Sequence, residues 1–96
     1  MNPAEITSKS ILAEAAEIRA GSRAADYGDA VENFKIISEI VYAITGVEVP
    51  PDVCCAVHIA TKLARERHKH KRDNLVDLCG YADILHLIRE TGMPEQ

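Results

Sequence analysis

The sequence predicts an all-α domain, a bundle of four helices at about 7–20, 29–45, 51–69 and 73–91. Three observations carry that reading. Apolar residues recur at three- and four-residue spacing along most of the chain, which is the helical period. Gly21, Gly46, Pro50-Pro51 and Gly92 interrupt that spacing at helix lengths. Hydrophobic content is 47% with only 4% aromatic, so the core is built of Ile, Val, Leu and Ala, the material of close-packed helices. Ninety-six residues, read as one domain over 1–96, give a single core with little to spare.

The first helix, from Thr7 to Ala20, places Ile11, Leu12, Ala15 and Ile18 on one stripe, and Gly21 caps its end. Ser22 to Gly28 reads as a polar connector. Asp29 then opens the second helix with Glu32 three residues on, the spacing of a capping box. Its expected inner face is Ala30, Phe34, Ile37, Ile40, Val41 and Ile44, with Asn33 among them, and Gly46 ends it. Pro50-Pro51-Asp52 starts the third helix, because Pro tolerates the first turn and Asp favours its positive end. Its expected core stripe is Val53, Ala56, Val57, Ala60, Leu63 and Ala64. A break at His70 to Arg72 leads to the fourth helix. Leu75, Val76, Leu78, Cys79, Ala82, Ile84, Leu85, Leu87 and Ile88 make it apolar on almost every side, so it should be central.

Charge is uneven. The window from Lys62 to Arg72 holds six basic residues against Glu66 alone, a net of +5, while the rest carries five basic and fourteen acidic residues, a net of −9. Such asymmetry bears on partners and not on fold. One Phe and no Trp leave no stacking platform for single-stranded nucleic acid. No apolar run spans a membrane, and the N-terminus lacks a basic then apolar leader, so the expected location is the cytoplasm of the host cell. Cys54, Cys55 and Cys79 are an odd set without C-x-x-C spacing, and read as free thiols serving as small hydrophobes.

The chemistry-bearing residues sit where helices usually place apolar ones. Asp73, Asp77 and Tyr81 follow i, i+4, i+8 beside Gly80, on a helix expected to be central. Gly80 weakens a helix, so something should approach it closely, most simply a neighbouring helix. His58, Lys62 and Arg65 form a ridge outside the apolar stripe of the third helix. Tightly joined helices lie side by side, so Lys62 and Arg65 can pair with Asp73 and Asp77 across them. An unpaired charge near a core is costly, and such a network can fix a structure with no catalysis at all. Asn33 should face inward and find a partner in Tyr81 or in the Arg23–Tyr27 loop. Arg23 on its Gly-Ser-Arg loop suits a phosphate, or an ordinary cap. Glu14 and Glu17, one turn apart, could share a hard cation, although surface Glu pairs are common. His68-x-His70 lacks a third metal ligand, and no Walker loop, nucleophile elbow or HExxH occurs.

Two resemblances extend this reading. Ile11-Leu-Ala-Glu-Ala-Ala-Glu17, Arg23-Ala-Ala-Asp-Tyr-Gly28, Glu32-Asn-Phe34, Lys62-Leu-Ala-Arg65 and Asp73-Asn-Leu-Val-Asp-Leu-Cys-Gly-Tyr-Ala82 together resemble a family of small uncharacterised phage and prophage proteins. That resemblance covers most of the chain and implies a viral origin and a helical domain. Glu14-Ala-Ala-Glu17 also resembles the E-x-x-E motif of MazG-type all-α nucleotide pyrophosphohydrolases. Their second motif, E-x-x-D, would fall on Asn74-Leu-Val-Asp77, with Asn in place of Glu. Ala13 also stands where an acidic residue often precedes the first motif, and two whole helices separate the motifs. This second resemblance implies Mg²⁺ near Glu14, Glu17, Asp73 and Asp77, with water attacking a nucleoside triphosphate. Arg23, Tyr27, Asn33, Lys62, Arg65 and Tyr81 would then be the ligand- or phosphate-binding candidates.

Three function classes follow. One is a nucleotide-handling protein of that Mg²⁺-dependent type. Another is a non-enzymatic phage effector that binds a host protein or a nucleotide signal. The third is nucleic-acid binding through residues 62–72, against which the net negative charge argues. The near-apolar fourth helix is hard for so short a chain to cover alone, so a homo-oligomer is expected.

Overall fold

In a computed structural model the described residues are 9–21 and 29–92. They form α1 (Ile11–Ala20), α2 (Ala30–Thr45), α3 (Pro51–His68) and α4 (Arg72–Leu87), which widens into a π-type turn over Ile88–Gly92. No strand occurs among the described residues. The all-α expectation holds, and α2, α3 and α4 begin within a residue of where the caps and breaks place them.

The first helix is shorter than its periodicity suggests. Lys9 and Ser10 are not helical, and Ser10 is the N-cap, its Oγ accepting from Ala13 N–H at 3.0 Å. Thr7 lies outside the described residues. The helix stops at Gly21, where a Cβ would come within 2.8 Å of the Glu17 carbonyl oxygen, so only glycine fits without a shift. Ala15 is the buried residue of this helix, Ile11 and Ile18 are half-buried, and Leu12 faces water.

Asp29 caps α2 as its sequence indicates, accepting from Val31 N–H at 2.8 Å and Glu32 N–H at 3.2 Å. The reciprocal half of the capping box is absent, since Glu32 turns instead toward Lys35 at 3.8 Å. Gly46 closes the helix in the left-handed region, φ 70°, and donates to the Tyr42 carbonyl at 2.8 Å. The chain then runs back extended through residues 47–50, and Ser38 Oγ donates to the Val49 carbonyl at 2.5 Å. Consequently α3 begins level with the middle of α2, and the last turns of α2 overhang it. Of sixteen residues in α2 only Phe34 is buried. Ile40 and Ile44, expected inside, are exposed, and so is Asn33. The packed face of α2 is narrower than its apolar pattern, centred on Phe34 with Ala30, Val31 and Ile37 beside it.

The central place of α4 is as expected: it packs against α3, α1, α2 and the π-type turn. The core joins Phe34, Cys54, Cys55, Ile84 and Ile88, flanked by Val49, Tyr81 and Leu85. The Cα radius of gyration is 15.3 Å, against about 13 Å for a rounded domain of this length. The body is elongated, with extents of 51 × 29 × 23 Å.

Helix α3 is turned the opposite way from its apolar stripe. Pro51, Cys54 and Cys55 are buried, and His58, Ile59, Lys62 and Glu66 continue that inner side. Val53, Ala56, Val57, Ala60, Leu63 and Ala64 all face outward. Cys54 and Cys55 take the inner positions as compact apolar groups, Cys55 bonding to the Tyr81 carbonyl of α4 and Cys54 to the Val49 carbonyl ahead of α3. Larger apolar residues remain outside.

Gly80 differs from expectation too. A Cβ there would meet nothing within 4 Å, so no helix approaches it closely. Gly80→Ala should therefore raise stability by about 1 kcal/mol through helix propensity. In thermal melts that is a rise of about 4–8 °C, and a fall would show that the folded protein itself needs a glycine there.

Candidate functional site

The polar residues of α3 and α4 meet along one seam. Lys62 Nζ lies 2.8 Å from Asp77 Oδ2, both side chains mostly covered, at 18% and 26% exposure. This is one of the cross-helix pairs the spacing suggests. Arg65 and Asp73 do not join it, since both are exposed and neither makes an ion pair among the described residues. Below the pair, Phe34, His58 and Tyr81 form an aromatic trio. The Phe34 ring meets His58 edge-on at 5.1 Å and Tyr81 at 6.2 Å, and His58 and Tyr81 are 5.4 Å apart. His58 Nδ1 lies 3.0 Å from the Cys54 carbonyl, which fixes the ring on its own helix.

At the other end of the seam the α3–α4 turn is tied by Glu66. Its Oε1 accepts from Lys71 N–H at 2.9 Å and from Asn74 Nδ2 at 3.2 Å, while Oε2 pairs with His70 Nδ1. Asn74 is buried, and this bond satisfies it. The His70 contact first, then the Lys71 amide, holds the Glu66 carboxyl below its ordinary range. This hub carries no signal in single-residue spacing, because Glu66 and Asn74 lie on different helices.

The carboxylates read as metal ligands are engaged elsewhere. Glu14 Oε2 accepts from Arg72 Nε at 3.0 Å, and Arg72 also donates to the Lys9 carbonyl at 2.5 Å. Glu17 pairs with Lys9 at 2.6 Å. A second tie, Arg19 to Asp83 at 3.2 Å, lays α1 along α4 in the same direction. Glu14, Glu17 and Asp77 thus each face a cation of their own, and among the described residues no three His, Cys, Asp or Glu converge as a metal site. The donor set does not suit a hard cation as it stands. Asn33 is exposed on α2 instead of facing inward to Tyr81. Arg23 and Tyr27 lie outside the described residues.

The three thiols are free. Burial first, then the nearby Asp52 carboxylate, pushes the Cys54 thiol up and moves Cys55 to about 11. Cys55 is fully buried and donates to the Tyr81 carbonyl at 3.4 Å, the setting of a packing thiol. Cys79 is half-buried and also free.

Fold and seam together define a small all-helical domain whose central polar groups are paired with one another. A family profile described as "Domain of unknown function (DUF6378)" matches residues 10–89, and the chain belongs to that family. Among its relatives is the Gene 55 protein of Mycobacterium phage L5, 42% identical over 78 residues. The match covers 79% of this chain and 50% of that protein, so the chain spans about half the length of this relative. No solved structure matches the chain. The resemblance to an uncharacterised phage family, legible in the sequence, is borne out by this family match and this relative.

Proposed function

We propose that the chain is a non-catalytic, phage-derived binding protein, acting on a protein partner through the outward apolar side of α2 and α3. One observation carries this reading. Ile36, Ile40, Ile44, Val47, Val53, Val57 and Leu63 are 44–78% exposed, whereas Lys62, Asp77 and Asn74 are engaged inside. Ile36, Ile40 and Ile44 share one side of α2 by helical spacing, and Val53, Val57 and Leu63 share one side of α3, as the apolar residues of an interaction site do. A paired, partly buried polar seam is what a structural lock requires.

A second reading keeps the nucleotide chemistry. There Mg²⁺ would sit among Glu14, Glu17, Asp73 and Asp77, with Arg23, Lys62 and Arg65 on the phosphates. It would first have to displace the ion pairs to Arg72, Lys9 and Lys62. Exposed Arg65, Arg67, Lys69 and Lys71 leave some basic surface for nucleic acid, which steep salt dependence would reveal.

A thermal-shift screen separates these. With and without Mg²⁺, nucleoside triphosphates, monophosphates and cyclic dinucleotides should each leave Tm unmoved. A Mg²⁺-dependent rise with one nucleotide class, lost in Glu14→Gln, would overturn the binding-protein reading in favour of nucleotide handling.

A further inference from the structure

Folding distributes the counter-charges of this chain unevenly. Lys9, Arg19, Lys35, Lys62, Arg72 and Arg89 each meet a carboxylate. Arg65, Arg67, Lys69 and Lys71 meet none among the described residues, and all four are exposed at the tip where α3 turns into α4. Glu66, the carboxylate in their midst, is turned into the fold. Its oxygens are taken up by the Lys71 amide, Asn74 and His70. Asp73, exposed in the first turn of α4, offsets one of the four charges. The net charge of −4 therefore describes the whole surface and not this end of it.

Helix electrostatics accounts for only half of the cluster. Cations suit the last turn of α3, which holds Arg65 and Arg67. Lys71, however, is the N-cap of α4, the positive end of that helix, where a cation is unfavourable. Lys69 and Lys71 stand on extended backbone on either side of His70, which turns in to Glu66. The tip is thus tied down while its cations are left to a partner outside the fold.

The shape of the cluster narrows that partner. Arg65 and Arg67 are two residues apart on a helix, so they diverge by about 200° around its axis. Glu66 between them lies on the covered side, so the two guanidinium groups leave on opposite flanks. A flat anionic surface meets one flank at a time, whereas two rows of phosphates walling a groove meet both. The major groove of B-form DNA is about 12 Å wide, close to the diameter of a helix with its side chains. From Arg65 to Asp73 no apolar or aromatic residue occurs. The tip therefore lacks the apolar centre of a protein interface, the inserting residues of a membrane-surface helix and a stacking platform for single strands.

We propose that the α3–α4 tip binds the phosphate backbone of double-stranded DNA across a groove. Arg65 and Arg67 reach the phosphate rows on its two sides, and Lys69 and Lys71 add contacts at the turn. This site is separate from the apolar side of α2 and α3 and does not depend on what docks there.

Fluorescence anisotropy of a short labelled DNA duplex titrated with the full chain tests this. Kd should be roughly 1–100 µM at physiological salt, and log K should fall against log salt with a slope of about −3 to −4, as four phosphate contacts require. Lys69→Glu with Lys71→Glu should weaken binding at least about tenfold and reduce the slope by about two. Arg65→Ala and Arg67→Ala should each take about one from the slope. Lys35→Glu, a charge reversal on α2, should leave Kd within about twofold. The tip variants should keep the wild-type circular dichroism, since these four side chains are exposed.

A duplex that stays unbound at low salt overturns the proposal. So does binding that survives the joint reversal of Lys69 and Lys71. A slope lowered by only one of Arg65→Ala and Arg67→Ala removes the groove arrangement. Tighter binding to the single strand, to polyglutamate or to phosphatidylserine vesicles overturns duplex DNA as the partner and assigns the tip to that polyanion instead.

Discussion

Phe34→Ala should cost about 3–5 kcal/mol, the range for a large buried aromatic cut to a methyl. Phe34 is 3% exposed and is the only residue of α2 inside the core. Its ring also bridges α3 and α4 through His58 and Tyr81. Domains of this size hold only about 5–15 kcal/mol in total, so the loss should lower Tm by well over roughly 10 °C. Because nothing else anchors α2 deeply, part of the helical signal should vanish in a separate, earlier transition. A loss below about 1 kcal/mol would mean that α2 is held by something other than this ring.

The next largest effect belongs to Lys62 and Asp77. Removing one partner leaves a mostly covered charge without its counter-ion, so Asp77→Asn should cost about 1–3 kcal/mol. Replacing both by apolar residues, Lys62→Met with Asp77→Leu, should recover most of it, because the desolvation cost disappears with the charges. The pair should therefore show clear coupling in a double-mutant cycle followed by urea melts. Additive single effects, with stability untouched by Asp77→Asn, would take the pair out of the structural role and return Asp77 to the candidates for ligand binding.

That pair was legible in the sequence, since both residues fall on facing ridges of consecutive helices. So were the Asp29 and Gly46 caps and the break before α4, each set by side-chain or backbone geometry within a few residues. Orientation about the axis of α3 was not. Hydropathy favours Val53, Val57 and Leu63 as the inner side, yet packing places Cys54, Cys55 and His58 there, where small or bonded groups fit close to α4. The apolar period located a packing side correctly as a pattern but not as the core. Asn33 failed for the same reason, its position being judged from an α2 stripe wider than the side that is buried. Asn74 stands where the pyrophosphohydrolase motif has a glutamate, and it is the buried polar residue that joins α4 to Glu66. Its partner lies eight residues away across a turn, and no spacing rule reaches that far.

The extended run after Gly46 works as a ruler. From Gly46 to Val49 the chain covers about 10 Å at strand-like rise, and a helix covers that distance in roughly seven residues. Counting back seven from Gly46 arrives beside Ser38, where the hydroxyl meets the Val49 carbonyl. The length of the overhang on α2 is thus measured out by the loop and not by the side chains of either helix. One residue more or less in that loop would slide α3 by about two helical residues, changing how much of α2 stands clear while leaving both helices intact.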